Sequence, residues 1–294
     1  MRRMNIITDE RCAEYSAPGH PERPARIVET LKKLRSQKAL PIRWSAPGTV
    51  SDEQLLRAHS PELIKSLSQK AAFDPDTPAH PQIDLHARRS AAGALSSLEL
   101  ALKGENSFSL LRPPGHHATR EKIMGFCYLN SIAIAALEAE KRGFKKIAVF
   151  DFDVHHGNGT EDILLGRDLF VYLSVHQLPG YPGTGGHHFK NARNYPVQPA
   201  RPREEYRKAL QNAMDDLRGF KPDIIGVSAG FDAFREDPLS NARLEVEDFH
   251  WLGVELQKIG VPLFSVLEGG YSDQLPDLIF AYLCGLSGVS LLTR

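Results

Sequence analysis

Five short apolar runs punctuate the chain, and each is followed at once by glycine, proline or charge. The clearest is Lys146-Ile147-Ala148-Val149, which leads into Phe150-Asp151-Phe152-Asp153-Val154-His155-His156-Gly157-Asn158-Gly159-Thr160. The others cover 108–111, 169–175, 223–230 and 262–267. All are apolar on both faces, as in strands buried inside a parallel sheet. Apolar positions recur at helical spacing over 24–35, 62–72, 84–103, 131–142, 204–217, 247–259 and 277–286. Strands interleaved with helices predict an α/β protein: one domain over 1–294, with a mostly parallel central sheet and helices on both faces. No linker, repeat or low-complexity tract divides it.

In open α/β sheets, ligands bind outside the carboxyl ends of the strands. Here those ends carry the chemistry. Run 108–111 leads to Arg112-Pro113-Pro114-Gly115-His116-His117, run 223–230 to Phe231-Asp232, and run 262–267 to Glu268-Gly269-Gly270-Tyr271. His116, His117, Asp153, His155, Asp232 and Tyr271 are thus expected along one edge. Asp151, Asp153 and His155 alternate, and extended backbone sends alternate side chains to one side. Aspartate with histidine is ligand chemistry for zinc. Asp153, His155 and Asp232 supply three ligands, the usual number at a catalytic zinc, which keeps a position open. Of the adjacent histidines, one can act as base and acid while its neighbour supplies electrostatics. The Tyr271 phenol can polarise a carbonyl. A solvated His-His loop, a helix cap at Asp232 or packing at Tyr271 would explain each feature singly; their joint occurrence points to a site.

Composition narrows the function classes. The 294 residues include 36 basic and 36 acidic side chains, so no general field attracts nucleic acid. Cys12, Cys127 and Cys284 are too few and scattered for a disulfide framework, which suits a reducing cytoplasm. No apolar run approaches membrane-spanning length, and the basic start Met1-Arg2-Arg3 precedes too short an apolar stretch for a signal peptide. Nothing in the pattern specifies an oligomeric state.

The motifs resemble those of the histone deacetylase superfamily, which includes acetylpolyamine amidohydrolases and bacterial deacetylase-like amidohydrolases. The matching segments are Gly19-His20-Pro21-Glu22-Arg23-Pro24-Ala25-Arg26, Arg112 to His117, Gly125-Phe126-Cys127, Asp151 to Thr160, Pro182-Gly183-Thr184-Gly185, Ser228-Ala229-Gly230-Phe231-Asp232 and Glu268 to Tyr271. The resemblance implies the arginase/deacetylase-like three-layer sandwich, with Asp153, His155 and Asp232 as zinc ligands. It implies His117 as general base and acid and His116 as its electrostatic partner. Asp151 would orient His116 and, with Ser174, hold a structural potassium ion. Gly125, Phe126 and Tyr181 would form a tunnel for the acyl-amine chain, and Arg26 would belong to an internal product channel. Asn158 stands at the second orienting position, where class I members carry aspartate. The 231–239 stretch is similar to class II and polyamine-type members, and the 73–81 loop would border the mouth.

Relatives of this fold that use two manganese ions want Asp-x-His-x-Asp and Asp-x-Asp. Here Gly157 stands two after His155 and Phe234 two after Asp232, which favours a single zinc. The expected activity is removal of an acetyl (acyl) group from an amine, first of all acetyl-lysine in protein or peptide. A rival substrate is an acetylpolyamine or other small acylated amine, held by mouth carboxylates drawn from Asp74, Asp76 and Asp84. A non-catalytic binding module would have lost a ligand or Tyr271, and neither is lost.

Overall fold

Ile147–Asp151 (β4) is flanked by Phe170–Gln177 (β5) and Ile224–Ala229 (β7), and from these the sheet extends both ways. A computed structural model describes residues 3–291; Met1, Arg2 and 292–294, which the expected domain span and signal-peptide reading include, lie outside it. The remaining strands are Met4–Ile7 (β1), Ile42–Ser45 (β2), Asn106–Ser109 (β3), Ala192–Val197 (β6) and Leu263–Leu267 (β8). Their order is β2-β1-β3-β8-β7-β4-β5-β6, and every neighbouring pair is parallel. The expectation of a mostly parallel sheet thus understates the result.

The helices are Ala25–Ser36 (α1), Asp52–Ala58 (α2), Pro61–Ser66 (α3), Ile83–Ala101 (α4), Ser131–Lys141 (α5), Asn158–Leu164 (α6), Arg203–Phe220 (α7), Val246–Ile259 (α8) and Leu275–Ser287 (α9). Strand alternation divides the core into two layers. Ala148 and Phe150 of β4 pack with Leu31, Leu210, Leu252 and Tyr282 from α1, α7, α8 and α9. Ile147 and Val149 face the other way, onto Leu55, Leu98, Ile132 and Ile163 from α2, α4, α5 and α6. The sheet is therefore covered on both faces. The strands β3, β8, β7 and β4 lie side by side, so the four chemistry-bearing ends form one contiguous edge.

Three strands were not expected. β2 and β6 are outer strands whose partly exposed positions break the apolar run, and β6 carries Pro196. β1 is four buried residues at the start of the chain. The expected 62–72 helix stops at Ser66, and α2 was missed although Ser51 and Gln54 form a capping box. The three cysteines are free and buried. Among the described residues no helix is long and apolar enough to cross a membrane.

His59, at the end of α2, is buried and fully engaged. Its Nδ1 donates to the Thr119 carbonyl (2.9 Å), and its Nε2 accepts the Asn130 amide N–H (2.9 Å). Asn130 in turn caps α5 through Ala133 N. This bonding needs the neutral ring, and burial pushes its pKa down to about 4 from 6.5. Between those values the unfolded chain binds the extra proton, so stability rises with pH. Lowering pH from 6.5 towards 4 should remove about 3 kcal/mol that is attributable to His59. The check is denaturant unfolding of the parent and His59→Gln across this range. Their difference should shrink steadily with acid; a constant difference would show that the ring is not held neutral.

Candidate active site

The metal-competent group is built by bends and hydrogen bonds. β4 ends at Asp151, and 152–157 is irregular, so the expectation that extended backbone brings Asp151, Asp153 and His155 to one side is corrected. Asp151 Oδ1 accepts the Asp153 amide (3.1 Å), Asp153 Oδ1 accepts that of His155 (2.9 Å), and Asp232 Oδ1 accepts that of Val154 (2.8 Å). Gly269 N–H from the end of β8 reaches Asp153 Oδ2 (2.7 Å). A Cβ at Gly230 would lie 2.1 Å from Asp153 Oδ2, so only glycine fits there.

His155 Nδ1 lies 3.1 Å from Asp153 Oδ1 and 3.0 Å from Asp232 Oδ2. One ligand atom from each of Asp153, His155 and Asp232 falls within 4.8 Å of the others. Asp151 is outside this group; its Oδ2 instead accepts from His116 Nδ1 (3.0 Å) and the Tyr172 hydroxyl (2.9 Å). Asp153 and Asp232 are wholly buried together, and burial and the neighbouring Asp153 push Asp232 up to about 7. Two buried carboxylates and one imidazole, converging on one point, fit a divalent cation in both charge and donor type.

His116 and His117 stand with ring centroids 4.0 Å apart in contrasting surroundings. Burial disfavours charge on His116, but the Asp151, Asp153 and Glu268 carboxylates outweigh it and push the pKa up to about 10. His117 donates its Nδ1–H to the neutral Asn158 Oδ1 (2.8 Å). Burial, with the charges of His116 and His155, holds it well below its ordinary value. Two adjacent imidazoles are thereby driven apart, one charged and one neutral with Nε2 left to accept. Glu268 fixes their loop: its Oε2 accepts the amides of Gly115 (2.7 Å) and His116 (3.1 Å), and its Oε1 the Ser228 hydroxyl (3.1 Å).

Tyr271 follows β8. Burial pushes its pKa well above the ordinary phenol value, so its O–H remains a donor. Arg26 donates from Nε to the Gly270 carbonyl (2.7 Å) and from Nη2 to that of Glu268, and its guanidinium lies 4.8 Å from the Tyr271 ring. Glu22 binds both Arg26 and the fully buried Arg112. Burial opposes its charge, but the two guanidiniums outweigh this and hold it down at about 2.

Above the group lies a cavity of about 230 Å³ lined by His116, His117, His155, Gly125, Phe126, Tyr181 and Tyr271. Pockets for drug-sized ligands run to about 300–1,000 Å³, so this one suits a slender chain. A Cβ at Gly125 would lie 2.7 Å from His117 and 2.9 Å from Tyr181. Phe126 adopts φ 68°, unusual for a bulky residue. The 73–78 loop holds this backbone: Asp74 Oδ2 accepts the Gly125 amide (3.2 Å) and the buried Thr77 hydroxyl that of Phe126 (3.0 Å). Of the mouth carboxylates considered, Asp76 lines the cavity, Asp74 is engaged with Gly125, and Asp84 pairs with Arg88 in α4. Ser174 lies opposite Asp151 across β4 and β5 and bonds His176 Nδ1 (2.8 Å). Glu22, Arg112, Glu268 and Thr77 were missed as site residues, although Glu22, Arg112 and Glu268 lie inside the quoted motifs.

Fold and site together define a parallel α/β protein in which a metal-competent group and two adjacent histidines meet at one edge of the sheet. The chain belongs to the histone deacetylase family: the model of the histone deacetylase domain matches residues 20–284. It is a deacetylase. A probable deacetylase of Methanothermobacter thermautotrophicus is 39% identical over 291 residues, covering 93% of this chain and 88% of the relative. Acetylpolyamine amidohydrolase 2 of Pseudomonas aeruginosa is 35% identical over 253 residues, covering 81% and 70%. Among solved structures, the HD domain of HDA15 superposes with a TM-score of 0.89 at 29% identity, covering 99% of this chain and 90% of that one.

Proposed function

We propose that this deacetylase is zinc-dependent and hydrolyses an acetylated amine, acetyl-lysine in protein or peptide being its main substrate. The observation that carries the reading is the cavity floor. There the Asp153–His155–Asp232 group, the neutral His117 and the Tyr271 phenol meet beneath a narrow shaft. Asp153, His155 and Asp232 would hold the ion. A bound zinc supplies Lewis acidity and lowers the pKa of its water to about 7.

The chain's own groups do the rest. His117 Nε2 takes the proton of the attacking water, its Nδ1–H fixed on Asn158. His116 stays protonated against Asp151 and steadies the negative charge that develops. Tyr271 donates its O–H to the acyl oxygen as that oxygen becomes anionic. His117 then passes its proton to the leaving amine. Phe126 and Tyr181 bury the methylenes of the substrate, at about 0.8 kcal/mol for each CH₂. Arg26 is the proposed residue of a product channel, and Asp151 with Ser174 are the proposed contacts of a structural potassium ion. A reducing cytoplasm suits the three buried thiols.

Acetylpolyamine is the second reading, favoured by the Asp76 carboxylate at the cavity and by the relative that carries that name. Only Asp76 of the three candidates is both at the cavity and uncommitted to an amide or an arginine, which supports the peptide substrate. The test compares kcat/KM for acetyl-lysine peptides, acetylpolyamines and longer acyl-lysines. At least a tenfold preference for the acetyl-lysine peptide is expected; the reverse preference selects the polyamine reading. His117→Ala should lower kcat by roughly 10²–10⁴, the usual contribution of a positioned acid–base group, and His116→Ala by less. If His116→Ala abolished turnover while His117→Ala kept most of it, the two roles would have to be exchanged.

A further inference from the structure

The turn that carries Tyr271 is gripped from two sides. Arg26 takes its carbonyls, at Glu268 and Gly270. The opposite grip comes from Asp237, in the loop between β7 and α8. Its Oδ2 accepts the backbone N–H groups of Tyr271 (2.6 Å) and Ser272 (3.2 Å). Its Oδ1 accepts the amide of Leu239 (3.0 Å), a residue that lines the cavity. Asp237 is buried, and these three bonds all come from peptide amides. Burying a carboxylate is costly unless fixed partners repay it. Here the repayment is spent on holding one turn and one cavity wall in register.

We propose that Asp237 is a positioning residue that sets the Tyr271 phenol. The proposal rests on the reading of Tyr271 as the donor to the acyl oxygen. Asp237 acts through the Tyr271 backbone and, by the same carboxylate, ties the Leu239 wall to the Tyr271 turn. Donors of this kind work only when held at the position the oxyanion will occupy, and a misplacement of about 1 Å can cost on the order of 10² in rate. The Ser240 hydroxyl of this loop also donates to the Asp232 carbonyl (2.6 Å), so any test must separate an effect on the metal group from an effect on Tyr271.

The experiment is Asp237→Asn in the full-length zinc-loaded enzyme, alone and combined with Tyr271→Phe. Zinc content, kcat, KM and amide hydrogen exchange are measured for each. The substitution keeps the shape but turns an NH₂ towards one set of donors. We expect kcat to fall about tenfold or more, KM to stay within about twofold, and zinc to remain at one per chain. The Tyr271 and Ser272 amides should exchange faster. In the Tyr271→Phe background the further loss of kcat should be under about twofold, because the phenol that Asp237 positions is already gone. Equal losses in both backgrounds, an unchanged kcat, or a loss that tracks zinc would each overturn the proposal. If Tyr271→Phe alone kept its kcat, the reading of Tyr271 would fall, and the proposal with it. Unaltered exchange at Tyr271 and Ser272 would instead refute the grip of Asp237 whatever Tyr271 does. Should Asp237→Asn fail to fold, Asp237→Glu carries the same comparison, since it keeps the charge but moves the oxygens by one methylene.

Discussion

Tyr271→Phe should lower kcat by roughly 10²–10³ with zinc retained, which is the usual cost of losing one preorganised donor to an oxyanion. The ring itself stays, so its packing against Phe126, at 5.8 Å between centroids, survives. What disappears is a single O–H that burial keeps protonated. The hydrogen bond is demanded most strongly when the acyl oxygen becomes anionic, so kcat falls and KM moves little. Steady-state kinetics on an acetyl-lysine peptide, with metal analysis of the same preparation, decides the point. A variant with parental kcat would remove Tyr271 from the reaction, and one that lost its zinc would make the residue a support of the metal group.

Asp232→Ala should lose metal and turnover together. Removing even an outer partner of a metal ligand costs about 10–100-fold in affinity or activity, so loss of a ligand should exceed the upper end of that range. Stability should move the other way in the metal-free protein. Burial and Asp153 push Asp232 up to about 7, so its ionised form is disfavoured in the fold. The unfolded carboxyl ionises freely near 3.8, and raising pH between these values therefore costs the metal-free fold stability. Asp232→Asn removes that charge and keeps the shape. Without metal its melting temperature relative to the metal-free parent should climb as pH rises from about 4 towards 7, while the zinc-loaded parent melts above both. A zinc-replete, active Asp232→Ala variant would overturn the ligand set.

Much of this arrangement was legible in the chain because function sits on its strongest signals. β4, β5, β7 and β8 are mainly apolar and buried almost throughout, and their polar ends read directly as one edge. β1, β2 and β6 escaped because short or outer strands lack that run. The supports of the site were harder to see. Glu22 meets Arg112 across 90 positions, and Glu268 meets Gly115 across 153. Glu22 pairs with the guanidiniums of Arg26 and the remote Arg112, while Glu268 accepts mainly backbone amides, which leave no mark in residue identity. Asp74 shows the same limit: as a loop carboxylate it read as a candidate for a distant ammonium, yet it bonds the Gly125 amide. His59 likewise carried no sign that both ring nitrogens would be occupied. Of the alternating Asp151, Asp153 and His155, the last two meet Asp232 and Asp151 does not, since the strand ends at Asp151 and the turn beyond it does the aligning.

If one zinc per chain, held by Asp153, His155 and Asp232, supports removal of acetyl groups, activity must follow the metal. Titrating zinc into the metal-free protein, while following acetate released from an acetyl-lysine peptide, tests it most directly. No turnover is expected without metal, followed by a linear rise that breaks at one equivalent per chain. Full turnover by the metal-free protein, or a break only at two equivalents, would contradict it.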